Sequence, residues 1–125
     1  IARQLRRRGL IVEEALICRV KQEFAAAVAS FEKHKVEVLM THIGGYPGRY
    51  DPSIRAQLQA RPPKLFIAGH SHILKVLYDK KLDCLHMNPG AAGKYGFHRV
   101  RTLLRFLLDE GDIRDLEVIE IGKQG

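Results

Sequence analysis

Cysteine is scarce in this 125-residue sequence: Cys18 and Cys84 are the two present, and they lie far apart. They form no C-x-x-C pair, which excludes a disulfide framework. Both read as reduced thiols packing as small hydrophobes. Long apolar runs are also absent, and none approaches the roughly 20 residues needed to span a bilayer. The Arg-rich start lacks the apolar stretch and small-residue cleavage site of a secretory signal, so the expected compartment is the cytoplasm. Residues 1–30 contain no Asp, Asn or His; the first Asp is Asp51, the only Asn is Asn88 and the first His is His34.

What is present fits one small domain, or part of a larger one, with a modest core. The hydrophobic fraction of 46% and charged fraction of 28% are ordinary, so pattern rather than composition has to indicate the fold. Net charge is +7, and residues 1–35 hold eight Lys/Arg against four Glu, with Arg3, Arg6, Arg7 and Arg8 close together. A basic balance of this kind suits an anionic partner such as nucleic acid. A solvated surface is the favoured reading.

Residues 10–33 predict one amphipathic helix, because Leu16, Val20, Phe24, Val28 and Phe31 recur every three to four positions. Val36 to Thr41 predicts a strand stopping at His42, followed by the turn-rich Gly44-Gly45-Tyr46-Pro47-Gly48. Asp51 is placed to cap a short helix over Pro52 to Ala60, ended by Arg61-Pro62-Pro63. Lys64 to Ala68 predicts the next strand, running into Gly69-His70. Leu74 to Tyr78 and Leu82 to Met87 predict two more. Arg101 to Leu108 and Leu116 to Ile121 flank the turn Asp109-Glu110-Gly111-Asp112, a hairpin signal. The order implies an α/β layer merging into an antiparallel strand cluster.

Two apolar strands therefore each end at a histidine, His42 and His70, and His72 follows two residues later. Ligands of open α/β sheets bind outside the carboxyl ends of the strands, so these imidazoles are expected to converge. Neutral imidazole is a common metal ligand. His-x-His alone does not separate metal binding from surface or core histidines.

The surrounding residues add a resemblance. Thr41-His42-Ile43-Gly44-Gly45, Gly69-His70-Ser71-His72 and Asn88-Pro89-Gly90 resemble, in order, the last three signatures of the calcineurin-like metallophosphoesterase superfamily. The small bacterial and archaeal phosphodiesterase branch is the most similar, and residues 36–121 fit it throughout. The resemblance implies the carboxy-terminal half of a four-layer α/β/β/α sandwich, covering residues 35–125, with residues 1–34 a helical segment unlike the family. It implies that His42 and His70 are ligands of a second metal ion and His72 a ligand of a first. It implies a two-ion hydrolase, often with Mn²⁺, in which the ions bridge a hydroxide and clamp the phosphoryl oxygens.

The chain departs from that family in its carboxylates. The family's earlier Asp-x-His, Gly-Asp and Gly-Asn motifs find no counterpart here, and residues 1–30 cannot hide them. Three imidazoles supply no negative charge to hold two cations together. The expectation is one weakly bound ion at most, with poor hydrolysis of a phosphoester small molecule. The alternative is a non-catalytic metal- or anion-binding module with a basic helix. Residues 1–34 would then be either a natural replacement covering exposed apolar surface or a product of a wrong gene start. A half sandwich exposes a sheet edge, so self-association is expected.

The other candidates have plainer readings. His86, between Leu85 and Met87, reads as a packed or surface histidine rather than a ligand. His34 and His98 read as exposed. Turn chemistry accounts for Asn88, and the resemblance places its turn near the site. Arg49, Arg99 and Arg101 could hold a phosphate, although solvated surface is the favoured reading. Tyr46 and Tyr50 read as loop packing.

Overall fold

Apolar and branched runs form the strands, and short turns with positive φ separate them. The computed structural model describes residues 9–12, 28–93 and 100–123. In chain order the elements are β1 (Gly9–Val12), β2 (Val28–Lys33), β3 (Val36–Thr41), β4 (Gly45–Tyr46), β5 (Arg49–Tyr50), α1 (Pro52–Ala60), β6 (Leu65–Ala68), β7 (Leu74–Asp79), β8 (Cys84–Pro89), β9 (Val100–Asp109) and β10 (Asp112–Lys123). A five-stranded sheet has the order β2-β3-β6-β8-β7, and a three-stranded sheet has the order β1-β9-β10. Strands β3, β6 and β8 run parallel, with β2 and β7 antiparallel at the edges. The fold class is α/β, as predicted.

The predicted helix over residues 10–33 is corrected at both ends. Residues 9–12 pair as a strand with Leu104–Leu107 of β9. Residues 28–33 pair antiparallel with β3 along their full length, from Val28↔Thr41 to Lys33↔Val36. The turn between them is His34-Lys35, with φ of 48° and 64°. A two-residue turn with both φ positive matches the right-handed twist of paired strands. Six ladder positions against an apolar strand outweigh a weak helical spacing at Val28 and Phe31. Residues 13–27 of that expectation, Cys18 among them, lie outside the described residues.

Helix α1 forms as its sequence predicts. The Asp51 carboxylate accepts a hydrogen bond from the Ser53 amide at 3.0 Å, Pro52 occupies the first turn, and the helix stops at Arg61. It buries Ile54 and Leu58 against Leu39, Phe66, Ala68 and Cys84 of the five-stranded sheet. The opposite face of that sheet carries Val38, Met40, Ile67 and Met87, which meet Leu104 and Phe106 of β9. Each fully buried side chain of this size stabilises the fold by about 1.5–3 kcal/mol relative to exposure. The layers are thus helix, five-stranded sheet and three-stranded sheet, three of the four in the expected sandwich. Cys84 is a buried free thiol, pushed up to about 12 by burial first and by Asp79 next.

The two sheets are also joined at both ends. Glu110-Gly111, the second two-residue turn, has φ of 48° and 89°. The Gly111 amide donates to the His34 carbonyl at 2.8 Å, and Lys35 pairs with Glu110 at 2.9 Å. That ion pair is largely solvent-exposed and contributes little. His34 is half-buried by this contact, not exposed as expected. At the other end, the Thr102 hydroxyl donates to the Pro89 carbonyl at 2.8 Å. No helix among the described residues is long and apolar enough to cross a membrane.

Candidate metal and phosphoester site

Three parallel strands end together. His42 follows β3, Gly69-His70 follows β6, and Asn88-Pro89 closes β8. The Gly69 amide donates to the His42 carbonyl at 2.9 Å and so holds the first two ends side by side. The rings of His42 and His70 meet edge-on, with centroids 5.0 Å apart and planes at 84°. His70 is exposed and His42 half-buried. Gly44, two residues after His42, lets the loop lie close against β6. A Cβ there would stand 2.5 Å from Phe66 Cζ and 2.8 Å from Ala68 Cβ.

The loop that carries His70 and His72 is held in an unusual backbone conformation. His70 has φ of 70° and His72 has φ of 62°, a region that non-glycine residues enter only when their surroundings impose it. The constraint comes largely from Asn88. Its Nδ2 donates to the Gly69 carbonyl at 3.2 Å and to Ser71 Oγ at 3.1 Å. Its Oδ1 accepts from the Gly90 amide at 3.1 Å, which is the turn chemistry expected from sequence. The Ile73 amide donates to Ser71 Oγ at 3.2 Å. Ser71 and Asn88 are therefore positioning residues; the sequence placed both within site motifs and read Asn88 as turn chemistry, and the bonds from its Nδ2 to the His70 loop are what it did not foresee. The available signal was the two-residue spacing of His86 and Asn88, which puts them on one face of β8.

His86 is fully buried, at 0% exposure, with its ring 5.4 Å from that of Phe66. The sequence reading left a packed or a surface histidine open, and the structure shows it packed. Neither ring nitrogen finds a hydrogen-bond partner among the described residues. Burial first, and the nearby Lys75 charge as well, lower its pKa to about 4, with the Phe66 backbone partly opposing the shift. The ring is therefore neutral at pH 7.

Beside His70 lies an open cleft of about 290 Å³ whose walls include Ile43, Tyr46, Arg49, Tyr50 and Ser71. Arg49 is exposed on this cleft. Arg101 instead donates to the Ala92 carbonyl at 2.6 Å, and Arg99 and His98 lie outside the described residues. Tyr50 donates to Asp79 at 2.6 Å, and burial raises its own pKa. That contact agrees with its reading as loop packing.

The donor set can be compared with a two-ion centre directly. Among the described residues, no group of three or more His, Cys, Asp or Glu side chains is arranged to hold a metal ion. The structure brings His42 and His70 together, and the described residues add no bridging carboxylate. The described residues do not fit a two-ion centre.

No match is found among curated protein sequences. Solved structures do match. A conserved uncharacterised protein from Streptococcus pneumoniae TIGR4, described as a predicted phosphoesterase, aligns with a TM-score of 0.57 and 16% identity over 75% of this chain and 53% of that one. A protein described as a novel archaeal phosphodiesterase aligns at 0.54 and 19% identity over 74% of this chain and 51% of that one. Chaetomium thermophilum Vps29 aligns at 0.54 and 12% identity over 84% of this chain and 64% of that one. At these identities the likeness is one of fold, and the chain spans only part of each structure's length. The calcineurin-like phosphoesterase family model matches residues 14–111. That match begins ahead of β2 and runs through all three strand ends. By this match, the chain belongs to the calcineurin-like phosphoesterase superfamily.

Proposed function

We propose that this chain is the histidine-bearing part of a metal-dependent phosphoesterase acting on a phosphoester small molecule. His42, His70 and His72 are the ligands it contributes. On its own it binds at most one divalent ion, with Mn²⁺ favoured, and hydrolyses phosphate esters poorly. The observation that carries the reading is the meeting of His42 and His70 at adjacent parallel strand ends beside a cleft. Family membership supports the phosphoesterase class. The limit on activity follows from charge. Two divalent ions about 4 Å apart repel by on the order of 10 kcal/mol at the effective dielectric of a protein surface. Neutral imidazoles do not offset that repulsion, and bridging anions would.

Calorimetric titration of the chain with Mn²⁺ is expected to give no more than one equivalent, and His70→Ala is expected to remove it. A chromogenic phosphodiester should be turned over near background. Robust Mn²⁺-dependent turnover by the purified chain would sink the proposal.

A second reading is a non-catalytic module that binds metal or an anionic partner. The absence of a three-ligand group among the described residues favours it. Strongly salt-dependent nucleic-acid binding would support this reading over the first. We place either module in the cytoplasm, where free thiols persist.

We further propose that the chain self-associates. Leu77 and Tyr78 on edge strand β7 are 43% and 54% exposed, and Val118 on edge strand β10 is 47% exposed. Unpaired edges with apolar side chains tend to pair with another chain. Light scattering at rising concentration should show growth in mass; a constant monomer mass contradicts it.

A further inference from the structure

His86 and Asn88 lie on the same face of β8, and their cross-strand partners on β7 are Leu77 and Lys75. A small, partly open cavity of about 50 Å³ borders both residues and is lined also by Tyr46, Ser71, Ile73 and Lys75. The Lys75 ammonium sits 3.8 Å from the centre of the Tyr46 ring and roofs this space. The space suffices for one water, whose share of liquid volume is about 30 Å³.

The hydrogen-bond inventory around this cavity leaves matching groups. Ser71 Oγ accepts from Asn88 Nδ2 and from the Ile73 amide, so both its lone pairs are used and its O–H is left to donate. Asn88 Oδ1 accepts from the Gly90 amide and keeps one lone pair. His86 has one donor and one acceptor nitrogen; neither meets hydrogen-bond geometry with a protein group among the described residues, and the Phe66 backbone, the nearest polar neighbour, can serve one of the two at most. Buried polar groups of this kind are satisfied by ordered water when no protein group serves.

We infer that His86 is a positioning residue for the Gly69–His72 loop, acting through one ordered water in this cavity that links its imidazole to Ser71 and Asn88. The water takes the Ser71 proton as acceptor and passes a hydrogen bond to the imidazole. That fixes the direction of the Ser71 hydroxyl, and with it the loop that holds His70 and His72 at positive φ. The inference deepens the phosphoesterase reading, because this loop carries two of its proposed ligands. It does not depend on metal binding for its test.

The test is made on the full chain without metal, by NMR at neutral pH. Wild-type His86 is expected as a single neutral tautomer with a hydrogen-bonded ring nitrogen. Ser71→Ala should change the ring-nitrogen shifts of His86. His86→Leu fills the cavity with an apolar group and should speed hydrogen exchange of the Ile73 and Gly90 amides roughly five- to tenfold, the loss of about one net hydrogen bond. Exchange at Met40 and Ile67 in the core should stay unchanged, which separates a loop effect from general loosening. His86 shifts that ignore Ser71→Ala, or unchanged Ile73 and Gly90 exchange in His86→Leu, would overturn the relay. If the relay holds and the purified chain nevertheless turns over a phosphodiester robustly with Mn²⁺, the proposed function has failed and the positioning role has not.

Discussion

Replacing Phe66 with alanine is expected to destabilise the chain by about 3–5 kcal/mol, the range for truncating a buried Phe. Phe66 is fully buried on β6, with the Tyr50 ring 5.8 Å away and the His86 ring 5.4 Å away. Its Cζ also limits the space at Gly44, directly after His42. Removing the ring leaves a cavity under helix α1 and beneath the histidine strand ends together. A small domain has about 5–15 kcal/mol in total, so the loss is a large share of it. Urea unfolding should show a midpoint lower by about 1 M or more, given slopes of about 1–3 kcal/mol/M. Phe106→Ala, in the core between the sheets, is the control. It should cost a similar amount and leave the NMR signals of His42 and His70 in place, whereas Phe66→Ala should move them. A loss below about 1 kcal/mol for Phe66→Ala would show that the helix layer closes over the gap.

Acid should weaken the fold between pH 6.5 and pH 4, with His86 the perturbed histidine among the described residues. Its pKa is about 4 in the folded chain against an ordinary value of 6.5. The unfolded chain therefore binds a proton in this window and the folded chain does not. Stability is fully present above about pH 6.5, falls as pH drops through the window, and levels off below about pH 4. The full shift corresponds to about 3 kcal/mol. Lys75 on β7 disfavours the charged ring and reinforces the effect. Asp51 and Asp79 are also perturbed, each held below the usual carboxylate value of 3.8 by hydrogen bonds from Ser53 and Tyr50 respectively. Their contributions begin to be lost only below about pH 5, so the part of the window between about pH 5 and pH 6.5 reports His86 with least overlap. His86→Phe should flatten the stability profile between pH 4 and pH 6.5, as measured by urea unfolding at several pH values. An unchanged slope in that variant assigns the acid sensitivity elsewhere.

Much of the site was legible because its chemistry is written at strand ends. Val36–Thr41 and Leu65–Ala68 are apolar runs that end at imidazoles, and the parallel pairing of β3 with β6 places those ends together. Asp51-Pro52 marked α1 through capping chemistry that acts within one turn. The amino-terminal reading failed for a physical reason. Nothing in His34-Lys35 advertises a two-residue turn, since Asn-Gly or Asp-Gly is the usual signal. The strand character of Val28–Lys33 comes from an edge that the rest of the sheet offers, which spacing along the chain does not reveal. His86 shows a different limit. Its burial was a fair expectation for a residue between Leu85 and Met87. Its relation to Ser71 depends on which strands flank β8, and that is a property of the assembled sheet.

The bonds at the two hairpin tips have a dynamic consequence. Strand β3 runs from the His34-Lys35 turn to His42, so the Gly111–His34 bond fastens the sheets at the end far from the histidines. The Thr102–Pro89 bond fastens them at the near end. Sliding one sheet over the other, the shear motion by which packed layers often adjust to a ligand, would have to break both at once. That tether favours adjustment in the loops at the strand ends over sliding of the layers. A segment or partner that supplied carboxylates to this site would meet imidazoles already set at a fixed spacing, and the adjustment would fall to the arriving side.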